Sequence, residues 1–179
     1  MKSESVSDDF DRLRRRIFWA MPSGIYLIGS CYENAVNLMT INWVTQISSQ
    51  PKIVVAGIEK SSHTMDLIEK SNKYSLNFIQ MKDKVLARTY AKAAVVDIEE
   101  MRLSGNKFYF TESLKVPVLE SAVAYFEVSV ISITNFSSHN AVFGEVVGGE
   151  IIDESLKESQ GELSSKVLKM SDTKMHYGG

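Results

Sequence analysis

Two short stretches carry side chains whose types and spacing suit chemistry. In residues 39–51, Met-Thr-Ile-Asn-Trp-Val-Thr-Gln-Ile-Ser-Ser-Gln-Pro, the polar groups of Thr40, Asn42, Thr45, Gln46 and Ser48 enter a strand pattern that ends in an irregular loop. Soon after, Lys60-Ser-Ser-His-Thr64 sets one cation and three hydroxyls where a strand pattern gives way to a helical one. The first stretch offers neutral polar groups to the edge of a planar ring. The second gathers donors for a phosphate: the Lys60 ammonium, the hydroxyls of Ser61, Ser62 and Thr64, and the free N–H groups of a helix start. Together they point to a phosphorylated aromatic cofactor, with FMN as the candidate. Backbone groups around Thr45, Gln46, Ile47 and Ser48 would bond the pyrimidine edge of the flavin, and Trp43 would border its ring. Each stretch also has a plainer use. Ser61 or Ser62 is a good helix cap, residues 46–50 suit a surface loop, and a lone strand tryptophan suits a core.

The bulk numbers narrow the field without choosing a function. A chain of 179 residues with 44% apolar and 23% charged residues is ordinary for one globular domain with a substantial core. Its formal net charge of −2 gives no sign of a nucleic-acid partner. Arg14-Arg15-Arg16 is the one basic run, and neighbouring Asp8, Asp9 and Asp11 predict a salt-bridged helix face there. A single cysteine, Cys31, forbids an intrachain disulfide and fits a reducing cytosol. One Cys with three scattered His predicts no zinc site. The polar, acidic start does not read as a signal peptide, and no apolar run is long enough to cross a bilayer. These features predict a cytoplasmic protein.

The elements that must position the two stretches follow from hydrophobic periodicity. Residues 8–20 read as a helix stopped by Pro22 and Gly24, and residues 24–32 as a strand that turns at Glu33-Asn34-Ala35. Residues 36–44 return, with Leu38 and Thr40 on one face and Asn37, Met39 and Ile41 on the other. Residues 52–59 form a third strand, 62–71 a helix burying Met65 and Ile68, and 74–80 a fourth strand. Residues 83–94 read as a helix with Val85, Leu86, Tyr90 and Ala93 on one face. Residues 95–116 read largely as loop. Two long alternating segments, 122–134 and 141–152, suit an antiparallel pair across the turn 135–140. Six or more strands with hairpin-like connections and few helices predict a mainly β fold, an antiparallel barrel.

These residues carry a resemblance. Pro22-Ser-Gly24, Thr40-Ile-Asn-Trp-Val-Thr45 and Ser48-Ser-Gln-Pro51 follow the order of motifs in the flavin reductase-like, FMN-binding split-barrel family. Lys60-Ser-Ser-His-Thr64 resembles its phosphate-contacting turn. The segment 116–127 resembles its entry to the long strand, and His139-Asn-Ala-Val-Phe-Gly-Glu-Val146 resembles its recurring His-(four residues)-Gly-Glu-Val. The likeness covers roughly residues 17–150, with a weaker echo in His176-Tyr-Gly-Gly179. It departs at Lys52, where many relatives have a second proline, and at residues 95–112.

The resemblance implies a split barrel that binds FMN near the interface of a homodimer. It also implies reduction of flavin by hydride from NADH or NADPH, with the nucleotide stacked over the flavin, and reduced flavin passed to a partner oxygenase. His139 would then lie near the flavin and the incoming nicotinamide, bonding the substrate amide or holding charge on reduced flavin. The chain has no Gly-x-Gly-x-x-Gly motif for a Rossmann nucleotide site. Two rival readings stay open: a flavoprotein that keeps FMN and carries electrons, and a non-catalytic FMN-binding module. A relative of the pyridoxamine-phosphate oxidase barrels is a further alternative.

Overall fold

The structure, a computed structural model, describes residues 8–158 and 162–176. Residues 1–7 and the terminal Tyr-Gly-Gly of the sequence reading lie outside the described residues. Helix α1 (Asp8–Trp19) is followed by β1 (Tyr26–Tyr32), β2 (Ala35–Ile41), β3 (Val44–Ser49), β4 (Lys52–Glu59), helix α2 (His63–Ser71) and β5 (Lys73–Phe78). Helix α3 (Lys84–Thr89) leads to four short strands, β6 (Val96–Asp97), β7 (Arg102–Leu103), β8 (Asn106–Phe110) and β9 (Pro117–Leu119). The long hairpin of β10 (Ala124–Asn135) and β11 (His139–Ile151) and a short helix α4 (Glu162–Lys166) complete it.

The main sheet has seven strands in the order β2-β1-β5-β10-β11-β4-β3, and every neighbouring pair is antiparallel. Its two edge strands, β2 and β3, are consecutive in the chain, with Asn42 and Trp43 between them. Laid flat, seven strands would set those edges about 29 Å apart, whereas a short linker spans only about 3.5 Å per residue. The sheet must therefore curl until its edges meet at Asn42-Trp43. No ladder joins β2 to β3, so the curled sheet stays open along that seam. This is a split antiparallel barrel.

Alternation along the strands sorts the apolar side chains to its two faces. Ile28, Ile41, Val54, Ala56, Ile58, Leu76, Val128 and Val142 fill one cluster, closed by Met65 and Ile68 of α2. Leu27, Leu38, Phe108, Val118 and Leu119 fill the other, beneath the small sheet β6-β7-β8-β9 and residues Leu86 and Tyr90. As predicted, Leu38 serves the second cluster while Ile41, with Met39 packed beside it, serves the first.

Three expectations need correction or completion. Residues 46–49, read as part of a surface loop, continue from Val44 and Thr45 as an edge strand paired with β4, and the strand expected over 36–44 breaks at Asn42-Trp43. An edge position lets Thr45, Gln46 and Ser49 stay exposed on a strand, so polarity alone did not exclude one. Residues 95–116 lie mostly outside strands, as expected, but they also carry the short strands β6, β7 and β8. The helix expected over 83–94 is only six residues long, and Val85 faces solvent because Leu86, Ala87 and Tyr90 take the core side. Helix α1 forms where predicted, yet Phe10, Leu13, Ile17 and Phe18 are all exposed. The bland reading of the arginine run stands for Arg14 and Arg15, which both pair with Asp11.

Candidate functional site

The seam gathers most of the first polar stretch. Asn42 is nearly buried and lines a cleft of about 1290 Å³ together with Trp43, Val44 and Thr45. The Trp43 carbonyl accepts from the Gly57 N–H at 2.8 Å, which ties the seam to β4. The indole lies over Gly57, where a Cβ would come within 3.2 Å of the ring. Its other neighbour is the His139 imidazole, with ring centroids 4.8 Å apart and planes tilted by 53°. A bulge between Gln46 and Ser48 leaves Ile47 out of register with β4. On an edge strand this frees backbone N–H and C=O groups along one side.

The second stretch is a tight turn into α2. Ser62 is the N-cap: its Oγ accepts from the Met65 N–H at 3.2 Å and donates to the Glu59 carbonyl at 2.8 Å. The Ser61 hydroxyl lies 3.4 Å from a Glu59 carboxylate oxygen. Lys60 is exposed and makes no ion pair among the described residues, while its backbone N–H donates to the Ser138 carbonyl. The first N–H groups of α2, those of His63 and Thr64, have no intrahelical acceptor. The capping reading and the anion reading thus both describe this turn, with different atoms.

Strand register brings the two stretches together. His139 pairs with Glu59, so the Trp43–His139 contact sits beside the Lys60–Ser62 turn. The Ser138 hydroxyl and the His139 Nδ1 share a 2.9 Å hydrogen bond that orients the ring. Two predicted residues are not presented to a ligand. The Thr40 hydroxyl donates to the Ala87 carbonyl at 2.8 Å, on the face away from the seam. Thr64 is fully buried and accepts from Asn37 Nδ2 at 2.8 Å, bracing the turn from beneath. Gln46 folds back onto the Ser48 carbonyl at 2.9 Å, and Ile47 and Ser48 lie further along β3 than the cleft reaches.

Apart from the family echo at His176, the sequence reading missed the opposite wall of the cleft. It is built by Phe18 and Trp19 of α1 and by residues 167–176, with the Trp19 and His176 rings 4.6 Å apart. The helical pattern of α1 and the aromatic-glycine end were visible in the chain, but nothing in them showed that they meet. Tyr26 also lines the cleft, and burial pushes its phenol above the usual tyrosine range, which keeps it a neutral donor. Cys31 lies at the far end of β1. Burial raises its thiol, which donates to the Lys115 carbonyl, as expected of an inert core cysteine. Among the described residues no three His, Cys, Asp or Glu side chains gather to hold a metal, and no helix is long and apolar enough to cross a membrane.

The arrangement could hold a flavin. Apolar Val44, Val55 and Gly57 give a planar ring its surface, Asn42 adds a polar edge, and one helix start serves a single phosphate. Comparison with known proteins gives the class. The model of the flavin reductase like domain matches residues 18–176, and the chain belongs to that family of flavin-handling oxidoreductases. Flavin reductase PheA2 in its native state superposes with a TM-score of 0.68 at 26% identity, over 80% of this chain and 88% of that one. Nitrilotriacetate monooxygenase component B from Mycobacterium thermoresistibile gives 0.70 at 19% identity, over 83% and 80%. Diflavin flavoprotein A 1 of Synechocystis sp. is 25% identical over 149 residues, 83% of this chain but only 25% of that protein. The chain spans a quarter of that relative's length.

Proposed function

We propose that this protein binds FMN in the seam cleft and reduces it with hydride from NADH or NADPH. The observation that carries the reading is the contact of Trp43, beside Asn42 in the cleft, with His139, whose strand pairs with Glu59 next to the Lys60–Ser62 turn. Bound there, FMN would supply the hydride-accepting redox chemistry that the side chains themselves lack. Lys60, Ser61 and the first N–H groups of α2 hold its phosphate. Of the β3 backbone, the part at Val44 and Thr45 lines the cleft and would serve the ring edge where negative charge develops; such fixed dipoles cost no reorganisation during reaction. Trp43 and His139 border the ring, and His139 orients the nicotinamide amide rather than acting as an acid or base. The preference for FMN over FAD rests on the single phosphate turn.

The working unit is a homodimer with FMN near the interface. Ile131, Phe136 and Val147 support it: all three are exposed on the β10–β11 hairpin, where a second copy would cover them. The free thiol of Cys31 accords with a cytoplasmic setting. Reduced flavin then serves a partner oxygenase, a role in keeping with the likeness to a monooxygenase component. A second reading has the protein keep its FMN and carry electrons, and the match to one segment of a diflavin flavoprotein favours it.

The test is the anaerobic absorption spectrum of the purified protein with FMN, before and after NADH and then NADPH. Rapid loss of the oxidised flavin band identifies a reductase and its donor. A bound flavin that neither nucleotide bleaches leaves the electron carrier or binding module. No flavin binding refutes the site.

A further inference from the structure

A separate pocket of about 490 Å³ opens at the far end of β1 from the seam cleft, within the range of about 300–1000 Å³ for small-ligand sites. Tyr26 lines the cleft and Tyr32 lines this pocket, and along the strand they stand about 20 Å apart. Three lysines line it, each from a different element: Lys70 at the end of α2, Lys73 at the start of β5 and Lys115 in the loop between β8 and β9. Among the described lining residues Glu33, in the β1–β2 turn, is the one carboxylate. Lys70 is already committed: its Nζ lies 2.8 Å from Asp66, and Glu33 attracts it too. Lys73 and Lys115 make no ion pair among the described residues, and Lys73 is half-buried.

The elements that carry these lysines are held in place. Glu127 is buried, and its Oε1 accepts from the Thr111 hydroxyl and, at 2.8 Å, from the Leu114 N–H. The Thr111 N–H donates to the Val116 carbonyl at 3.0 Å, which closes the loop around Lys115. The Lys115 carbonyl accepts from Cys31 Sγ at 3.1 Å and ties that loop to β1. On the other side, the Asn72 N–H donates to the Ile68 carbonyl at 2.8 Å and caps α2, while the Ser71 hydroxyl donates to the Lys73 carbonyl at 3.2 Å. The remaining lining is largely apolar. Phe110 packs edge-on against buried Phe108, and burial keeps the Cys31 thiol neutral, so it adds wall and no charge.

We infer that this pocket binds a small aromatic carboxylate, its charge at Lys73 and Lys115 and its ring against Phe110 and Tyr32. Two ammonium groups that no carboxylate of the described residues neutralises favour an anion, and half-burial leaves Lys73 less screened by salt than an exposed lysine. Glu33 narrows the choice, because its carboxylate repels a polyphosphate more than a single negative charge. Phe110 and Tyr32 then offer aromatic surface to a ring, which prefers edge-on or offset contacts. The site stands at the opposite end of β1 from the flavin cleft and does not depend on the flavin reading.

The experiment follows backbone amide NMR shifts of the full chain during titration with benzoate, with and without FMN. Benzoate should shift the amides of Tyr32, Ser71 and Phe110 saturably, and equally whether FMN is present or not. Benzamide, which lacks the charge, and acetate, which lacks the ring, should both bind more weakly. Lys73→Met and Lys115→Met keep an apolar stem and should each weaken benzoate about fivefold, the upper scale of one exposed charge contact. FMN affinity should not change in either variant. The inference is overturned by the absence of saturable shifts, by shifts centred on Asn42 and Trp43, or by benzamide or acetate binding as tightly as benzoate. Unchanged benzoate affinity in either lysine variant overturns it as well. Failure of FMN to bind would instead refute the flavin site and leave this one standing.

Discussion

Trp43 and His139 come from opposite ends of the sheet-forming sequence, yet their rings lie 4.8 Å apart. The contact exists because the edge strand β3 and the hairpin strand β11 both pair with β4. Gly57 lets the indole settle onto β4, and the Trp43 carbonyl is bonded to the Gly57 N–H. Gly57 thus sets how closely the indole lies on β4, at the seam where the consecutive strands β2 and β3 are not paired.

Gly57→Ala should move the indole by a few tenths of an ångström, because the added Cβ meets Trp43 Cε3 at 3.2 Å and Trp43 Cβ at 3.3 Å. Flavin affinity should fall severalfold while the fold stays intact. Trp43→Ala should cost about 1 kcal/mol of flavin binding, the scale of one aromatic stacking contact. Titration by quenching of flavin fluorescence measures both. Unchanged affinity in the two variants would remove Trp43 from the ring site.

The phosphate turn is tested by comparing FMN with riboflavin, which lacks the phosphate. Lys60→Ala should weaken FMN by about 1 kcal/mol, in line with an exposed charge contact, and leave riboflavin unaffected. Ser62→Ala should behave differently, because that hydroxyl already caps α2. It should lower protein stability by about 1 kcal/mol, measured by urea unfolding. An equal loss for FMN and riboflavin in Lys60→Ala would put the phosphate elsewhere.

Thr64→Val separates the buried hydroxyl from the ligand-facing ones. It strands Asn37 Nδ2, which donates to Thr64 Oγ1 in the core. The expected result is a stability loss of about 1–3 kcal/mol, the cost of leaving a buried polar group unpaired. FMN affinity should be retained. A variant that unfolds normally but loses FMN would return Thr64 to the phosphate site.

Much of this architecture was legible in the chain, for a physical reason. β4 and α2 each bury one regular face, through Val54, Ala56 and Ile58 and through Met65 and Ile68, while β1 is a short apolar run buried on both faces at Leu27 and Ile28, so each leaves a readable pattern in the order of residues. β3 was read as loop because an edge strand needs no buried face along Thr45 and Gln46. The short strands of 95–116 were missed because two-residue pairings such as Val96–Leu103 and Asp97–Arg102 leave no periodic trace. Hydroxyls were the least legible. Thr40 and Thr64 look like Thr45 and Ser61 in sequence, and only packing shows that the first two bond inward. The cleft's second wall depends on Trp19 meeting His176, a contact between the two ends of the chain that no local pattern records.

Tyr90 makes the stability pH-dependent on the alkaline side. It is fully buried, its hydroxyl donates to the Leu103 carbonyl at 2.6 Å, and Asn106 Nδ2 donates to it at 3.3 Å. Burial pushes its phenol up to about 12, against a partly offsetting pull from Asn106. In the unfolded chain it titrates near the ordinary value of about 10. Below that pH both states hold the proton and the contribution is complete. As pH rises further the unfolded chain releases its proton first, so stability declines and the contribution is lost through about 12. Tyr109, also raised to about 12, adds in the same direction. Urea midpoints from about pH 8 to about pH 11 should therefore fall in the wild type. Tyr90→Phe should start lower by about 1 kcal/mol for the lost hydrogen bond and decline less steeply, since one of the raised phenols is gone. Parallel curves for the two proteins would show that Tyr90 titrates alike in both states.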